Sequence, residues 1–474
     1  MKSVALHNLG CKVNSYELDV MQQYLQNKGY KIVNFNQKAD IYIINTCTVT
    51  NIADRKSRQM LHRAKKQNPD AIVVAVGCYV QTNEAEIEKD DCIDLAIGNN
   101  RKKELVEIIE AYLDKRQSQT PDEQTTASSG KTSGVAPDKT LGHTSVIDIN
   151  AEKEYEEMQL VHTAEHTRAY IKIQDGCNQF CSYCVIPFAR GRVRSRKPEQ
   201  VEEEVRRLAE AGYHEIVLTG IHLSSYGLDF HGESYNTAGG QGNEQELLRL
   251  IERIHAVDGI TRIRLGSLEP RVITEAFAGA LAALPKVCPH FHLSLQSGCD
   301  GVLKRMNRRY TTEEFARSVE ILRRVYEHPA ITTDVITGFP GETEEEFAQT
   351  VSYLEKIRFF EMHVFPYSRR EGTVAADMPG QLTEKEKKQR SSVLLAMTAR
   401  HSKEYREYYI GKEQEVLFEQ CHEIEGRQYL TGHTRNYVRV AVPVEGIDPA
   451  EMTNQECICR LTGFADDETL LGTY

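Results

Sequence analysis

Ten times along this chain a short run rich in Val, Ile and Leu gives way to a turn and a helical stretch. Strands that are apolar on both faces and alternate with helices belong in parallel sheets covered by those helices. Such sheets gather their chemistry at the carboxyl ends of the strands, where the strand-to-helix loops emerge. Four runs, at 4–9, 41–45, 72–77 and 93–98, fall within residues 1–114, with helices over 15–28 and 54–67. They predict a doubly wound α/β domain. Six more, at 169–174, 215–219, 262–265, 290–295, 332–336 and 362–365, fall within 165–400, with helices over 198–210, 244–255, 311–326 and 343–356. They predict a partial (βα)6 relative of the eight-stranded barrel. Pro198 and the run Thr343-Glu-Glu-Glu are helix-start signals.

The remaining segments differ in composition. Residues 117–144 are dense in Ser, Thr, Gly, Pro and Gln, so 115–164 reads as a flexible linker. Beyond a charged helix over 383–408, the segment 401–474 carries short strands at 416–419, 437–442 and 456–461, with turns at Gly432 and Gly446. That is the size of a small OB-like β-barrel. At 474 residues, 40% hydrophobic and 27% charged, the chain suits a multidomain water-soluble protein. No stretch reaches the ~20 apolar residues of a membrane span. The opening Met-Lys-Ser-Val-Ala-Leu reads as a strand and not a signal peptide. A cytoplasmic location with no membrane partner is therefore expected, and there twelve cysteines point to metal sooner than to disulfides.

Three cysteines stand together directly after the first barrel strand, in Asp175-Gly-Cys177-Asn-Gln-Phe-Cys181-Ser-Tyr-Cys184. Iron–sulfur clusters take soft thiolates, commonly four, and three protein ligands leave one iron open for another molecule. Zinc would need a fourth nearby ligand, and no second C-x2-C occurs. Plain structural thiols are the remaining reading. A second trio is dispersed: Cys11, Cys47 and Cys78 each follow the end of a predicted N-terminal strand. In a parallel sheet all three fall on one edge and form a second candidate cluster, although cysteine is also a common buried hydrophobe. Cys92, Cys288, Cys299, Cys421, Cys457 and Cys459 show no ligand spacing and read as structural.

The C-x3-C-x-aromatic-C run resembles that of the radical S-adenosylmethionine (SAM) enzymes. With the three N-terminal cysteines and a small C-terminal barrel, the whole chain outside the linker resembles the radical SAM methylthiotransferases. The stretches Leu9-Gly-Cys11-Lys-Val-Asn-Ser-Tyr-Glu17, Ala189-Arg-Gly-Arg-Val-Arg-Ser-Arg196 and Phe365-Pro-Tyr-Ser-Arg-Arg-Glu-Gly-Thr373 carry the likeness further. Gly-Cys-Lys-Val-Asn resembles the MtaB-type branch, which modifies threonylcarbamoyladenosine beside the tRNA anticodon. Sibling branches act on isopentenyl-adenosine tRNA or on a ribosomal protein. A non-catalytic iron–sulfur RNA-binding protein is the alternative of another class.

The resemblance implies an N-terminal cluster domain, a radical SAM domain and a C-terminal RNA-binding TRAM domain. It also implies two 4Fe–4S clusters, one on Cys177, Cys181 and Cys184 and an auxiliary one on Cys11, Cys47 and Cys78. SAM serves as methyl donor and radical source. The chemistry demands this, because the adenine C2–H bond is unactivated and no general base in a protein removes that proton. Tyr183 matches the aromatic beside the SAM adenine. Thr219 and Gly220, Ser267 and Glu269, and Gln296 follow successive barrel strands and are the expected SAM contacts. The partners implied are tRNA, an electron donor of the flavodoxin or ferredoxin type, and a sulfur source.

The net charge of −11 argues against a nucleic-acid partner, but its distribution does not. Residues 168–197 carry seven basic side chains against one acidic, Arg190, Arg192, Arg194 and Arg196 among them. The helix after Cys47 adds six more, with Arg58 on its basic face. These are the expected RNA contacts. Residues 411–474 hold five basic against twelve acidic side chains, so the terminal barrel would bind RNA through a few positions such as Arg435 and Arg439.

Overall fold

The N-terminal apolar runs form strands β1 (Ser3–Asn8), β2 (Lys31–Val33), β3 (Ile41–Thr46), β4 (Ile72–Gly77), β5 (Leu95–Ile97) and β6 (Thr144–Ser145). The structure, a computed structural model, describes residues 1–118, 144–160, 167–231, 244–446 and 448–474. All pairs of this sheet are parallel, in the order β2-β1-β3-β4-β5-β6. Every residue of β3 and β4 is buried, as a sheet covered on both faces requires. Asn8 pairs with Asn45 and Thr46 with Gly77, so the loops after β1, β3 and β4 leave one edge together. The helix Asn51–Gln67 is started by Thr50, whose hydroxyl accepts from the Ala53 N–H.

Parts of the segment expected as a linker, 115–164, carry secondary structure or buried residues. The helix Leu105–Ser118 runs past its start, and β6 pairs with β5. Ile149, Met158 and Leu160 are buried, and the Tyr16 hydroxyl donates to the Met158 carbonyl at 2.5 Å. Spaced apolar residues after 144 supply this burial. The middle of that linker, 119–143, and residues 161–166 lie outside the described residues.

Two compact units emerge. One comprises Met1–His162, Asp175–Asn178 and Cys184–Arg194, the other Thr163–Gln174, Gln179–Tyr183 and Ser195–Tyr474. The second is built on β7 (Arg168–Asp175), β8 (Arg194–Ser195), β9 (Glu215–Gly220), β10 (Arg262–Leu265), β11 (His290–His292), β12 (Ala330–Thr337) and β13 (Glu361–Pro366). The order is β10-β9-β7-β8 in one sheet and β11-β12-β13 in another, with single bridges Ile263–Val287 and Leu268–Leu293 between them. The expected strand at 290–295 thus pairs continuously for only three residues. Beyond His292 the bridges Leu268–Leu293 and Gln296–Val335 keep it aligned, and Gln296 itself sits at φ 74°. Helices Pro198–Glu210 and Glu244–His255 match the sequence reading, and Thr311, Thr343 and Thr383 each head a helix through a capping box.

The C-terminal strands β14 (Glu413–Ile424), β15 (Arg427–Thr434), β16 (Arg439–Pro443), β17 (Glu456–Phe464) and β18 (Leu470–Thr473) close into a barrel in the order β14-β15-β16-β18-β17. Val416, Phe418, Leu430, Val440, Cys459, Leu461 and Leu470 fill it. It is fastened by charge to the amino ends of β7, β9 and β10. Glu215 is buried among Arg264 (2.7 Å), Arg168 (3.5 Å) and Arg262 (3.8 Å). The same arginines reach the barrel: Arg264 donates to the carbonyls of Thr434 and Arg435 (both 2.8 Å), Arg262 pairs with Glu456 (2.9 Å) and Glu415 (3.0 Å), and Arg168 pairs with Glu419.

Candidate active site

None of the twelve cysteines is in a disulfide. Cys11 caps the helix Lys12–Asn27, Cys47 follows β3, and Cys78 opens a short helix straight from β4. Parallel register therefore delivers three thiols, far apart in sequence, to one sheet edge. Gly10, at φ 110°, lets the chain pass the Cys47 side chain closely, since a Cβ there would lie 3.0 Å from Cys47 Cβ and 3.1 Å from its Sγ. Burial and the neighbouring Cys78 push the Cys47 thiol up to about 12. In water a thiol so placed holds its proton, and a cationic centre displaces it. Donors stand ready on Cys78: Arg190 Nε at 3.2 Å and Asn99 Nδ2 at 3.5 Å from its Sγ. A soft donor trio on one sheet edge, with cationic support, fits an iron–sulfur cluster.

The second trio lies on the loop after β7. Gly176, at φ 73°, starts that loop, and a Cβ there would stand 1.8 Å from the Arg192 carbonyl oxygen. Arg308, half-buried beside Tyr310, donates to Cys181 Sγ at 3.2 Å. Tyr183 packs edge-on against Phe339, ring centroids 6.3 Å apart, in a cluster with Val302, Met306 and Tyr367.

The expected SAM-contact positions all follow carboxyl ends of parallel strands in the second unit: Thr219 and Gly220 at the end of β9, Ser267 and Glu269 after β10, Gln296 after β11. Ser267 is exposed, while Thr219, Glu269 and Gln296 are buried. Glu269 accepts from Gln179 (3.3 Å), faces His222 Nε2 at 3.4 Å and Arg271 at 3.4 Å, and its own N–H donates to Ser224 (2.8 Å). Burial works against its charge, but His222, Arg271 and Arg308 beside it hold the carboxyl at about 2, so it is ionised near neutral pH.

Sequence reading missed His222, Arg308 and a trio carried by β11, β12 and β13, His292, Asp334 and His363. Asp334 lies 3.2 Å from His292 and 3.1 Å from His363. Burial opposes its charge, yet the two imidazoles hold it well below the carboxylate range. The only early signal for His222 was its place two residues beyond Gly220.

The arginine-rich segment requires a correction. Arg190, Arg194 and Arg196 are fully buried, so they cannot meet RNA from these positions. Arg190 pairs with Glu17, Arg194 donates to the Arg190 carbonyl and lies 3.9 Å from Asp175, and Arg196 pairs with Glu204. Runs of arginine look solvated in sequence, and each of these instead neutralises a buried carboxylate. Arg435 is likewise spent, donating to the carbonyls of Pro285 and Val287 within the second unit. Arg192 is exposed, Arg439 is half-buried, and Arg58 donates to the Tyr79 hydroxyl at 3.1 Å with its side chain 43% exposed. On the helix of Arg58, Arg55, Lys56, Arg63 and Lys66 remain exposed.

Residues 171–354 match the family model described as the Radical SAM superfamily, and residues 3–98 that of the uncharacterized protein family UPF0004. The chain is 40% identical over 442 residues to the threonylcarbamoyladenosine tRNA methylthiotransferase MtaB of Bacillus subtilis (strain 168), covering 93% of this chain and 90% of that protein. It is 38% identical over 437 residues to the MtaB of Aquifex aeolicus (strain VF5), covering 92% and 96%. Among solved structures, the radical S-adenosylmethionine methyltransferase TsrM from Kitasatospora setae, with cobalamin and a 4Fe–4S cluster bound, matches with a TM-score of 0.54 at 19% identity, over 79% of this chain and 74% of that one. At that identity the match speaks for the fold.

Proposed function

This chain belongs to the radical SAM tRNA methylthiotransferases of the threonylcarbamoyladenosine branch, and from that membership we propose that it adds a methylthio group to C2 of N6-threonylcarbamoyladenosine at position 37, beside the tRNA anticodon. The observation that carries the reading is the pair of cysteine trios, each set on strand-end loops, in a chain alike to MtaB proteins over almost its whole length. Cys177, Cys181 and Cys184 would hold the SAM-cleaving 4Fe–4S cluster, and Cys11, Cys47 and Cys78 the auxiliary one. When bound, clusters and SAM supply the one-electron reducing power and the methyl group that substitution at an unactivated carbon needs.

The chain's own residues bind and orient. Glu269, held ionised, offers a fixed negative charge to a ribose hydroxyl or the ammonium of SAM. Gly220 lets backbone come close, a Cβ there lying 2.9 Å from the Gln174 amide oxygen. Arg308 fixes Cys181, and Tyr183 presents a ring to the adenine. An electron donor of the flavodoxin or ferredoxin type and a sulfur source complete the reaction in the cytosol. Among the described residues no helix is long and apolar enough to cross a membrane.

RNA would be held by the exposed basic face of the helix Asn51–Gln67 together with Arg192. Arg55→Ala should weaken tRNA binding and lower the log–log salt slope by about 1, the signature of one lost phosphate contact. An unchanged slope removes that helix from the RNA surface. The function itself is tested by nucleoside mass spectrometry of tRNA from cells lacking this protein. The methylthio form of threonylcarbamoyladenosine should vanish and return on complementation, with methylthio-isopentenyl-adenosine untouched. Loss of the latter alone would assign the chain to the sibling activity.

A further inference from the structure

Arg190 belongs to the basic segment read from sequence as an RNA contact, and its burial asks for another role. Its guanidinium makes four kinds of contact within the first unit. Nη1 and Nη2 hold Glu17 (2.5 and 3.0 Å), Nη2 donates to Asn14 Oδ1 (2.7 Å), Nη1 lies 3.3 Å from Asp175, and Nε donates to Cys78 Sγ (3.2 Å). Glu17 needs only the outer fork of this side chain. The inner Nε–H is aimed at sulfur.

A second donor converges on the same atom. Asn99 Nδ2 lies 3.5 Å from Cys78 Sγ and 2.7 Å from the Ala189 carbonyl, while Asn99 Oδ1 accepts from Lys102 (2.6 Å), which also pairs with Glu17 (2.7 Å). A sulfur that ligates a cluster accepts hydrogen bonds better than a neutral thiol, so two donors converging on this atom suit a ligand position.

We propose that Arg190 and Asn99 are positioning residues for the auxiliary cluster, their N–H groups bonding the Cys78 sulfur so as to orient this ligand and raise the cluster's reduction potential. Hydrogen bonds to a cluster's sulfurs, and positive charge beside them, favour the reduced and more negative state. This rests on Cys11, Cys47 and Cys78 being the auxiliary ligands.

The test uses the full-length chain with Cys177, Cys181 and Cys184 all changed to Ala, so that only the auxiliary cluster is loaded, and follows its reduction by EPR in an anaerobic redox titration. Adding Arg190→Lys keeps the charge but loses the fork. Adding Asn99→Leu removes a neutral donor and leaves every ion pair intact. Each should retain iron and shift the potential to more negative values. Potentials and EPR spectra identical to the parent in Asn99→Leu, and in Arg190→Lys where it folds, would overturn the proposal while leaving the ligand assignment standing. A parent that binds no iron and sulfide would overturn the ligand assignment, and this proposal with it.

Discussion

Changing Cys177, Cys181 or Cys184 to Ala is expected to reduce 5′-deoxyadenosine formation from SAM to background, whereas changing Cys11, Cys47 or Cys78 should leave that cleavage in place and abolish methylthiolation. The two trios sit on different loops of the fold, one on the single loop after β7 and the other on three loops at the edge of the N-terminal sheet. Losing a ligand from one therefore removes none from the other. Each variant should lose about four of the roughly eight irons that two 4Fe–4S clusters hold per chain. Iron analysis, 5′-deoxyadenosine chromatography and nucleoside mass spectrometry on the same preparations separate the effects. Unimpaired methylthiolation by Cys47→Ala, with iron content unchanged, would remove the auxiliary cluster from the account.

The second large effect is structural. Glu215→Ala should destabilise the second unit by about 3–5 kcal/mol, because it leaves three buried guanidinium groups without their shared carboxylate. Glu215 is 1% exposed and lies 2.7 Å from Arg264 and 3.5 Å from Arg168. Burial opposes its charge, but Arg264 first, then Arg168, hold its carboxyl down from 4.5 to about 2. A carboxyl depressed on folding contributes stability that is complete above its unfolded value and fades as pH falls through the folded one. The loss should run from about pH 4.5 down to about 2 and amount to on the order of 3 kcal/mol. Denaturant unfolding at pH 7 and pH 3 samples about 2 kcal/mol of it, and Glu215→Gln should reduce the pH dependence by that amount. Equal stability of Glu215→Ala and the parent at pH 7 would show that the small barrel is not fastened through this carboxylate.

The site's cysteines were legible because their order along the chain is their order on the sheet. Each follows an apolar run whose end could be read, and parallel pairing does the rest. Strand β15 was not legible, since Arg427–Thr434 offers only Leu430 and the half-buried Tyr429 as large apolar residues and owes its place to its barrel neighbours. Nor was the role of Arg190, whose carboxylate partner lies 173 residues away. A run of arginines reads alike whether it faces water or buried acids, and no local pattern tells the two apart. The segment after residue 144 shows the reverse error, where a few spaced apolar residues outweighed a composition that looked unstructured.

The most direct measurement is a reaction of the anaerobically reconstituted protein with SAM, a reductant and two purified tRNA substrates, one carrying threonylcarbamoyladenosine at position 37 and the other isopentenyl-adenosine. The nucleosides are then digested and weighed by mass spectrometry. The first substrate alone should gain a methylthio group, accompanied by 5′-deoxyadenosine. Methylthiolation of the isopentenyl substrate alone, or SAM cleavage with neither nucleoside changed, would contradict the proposed function.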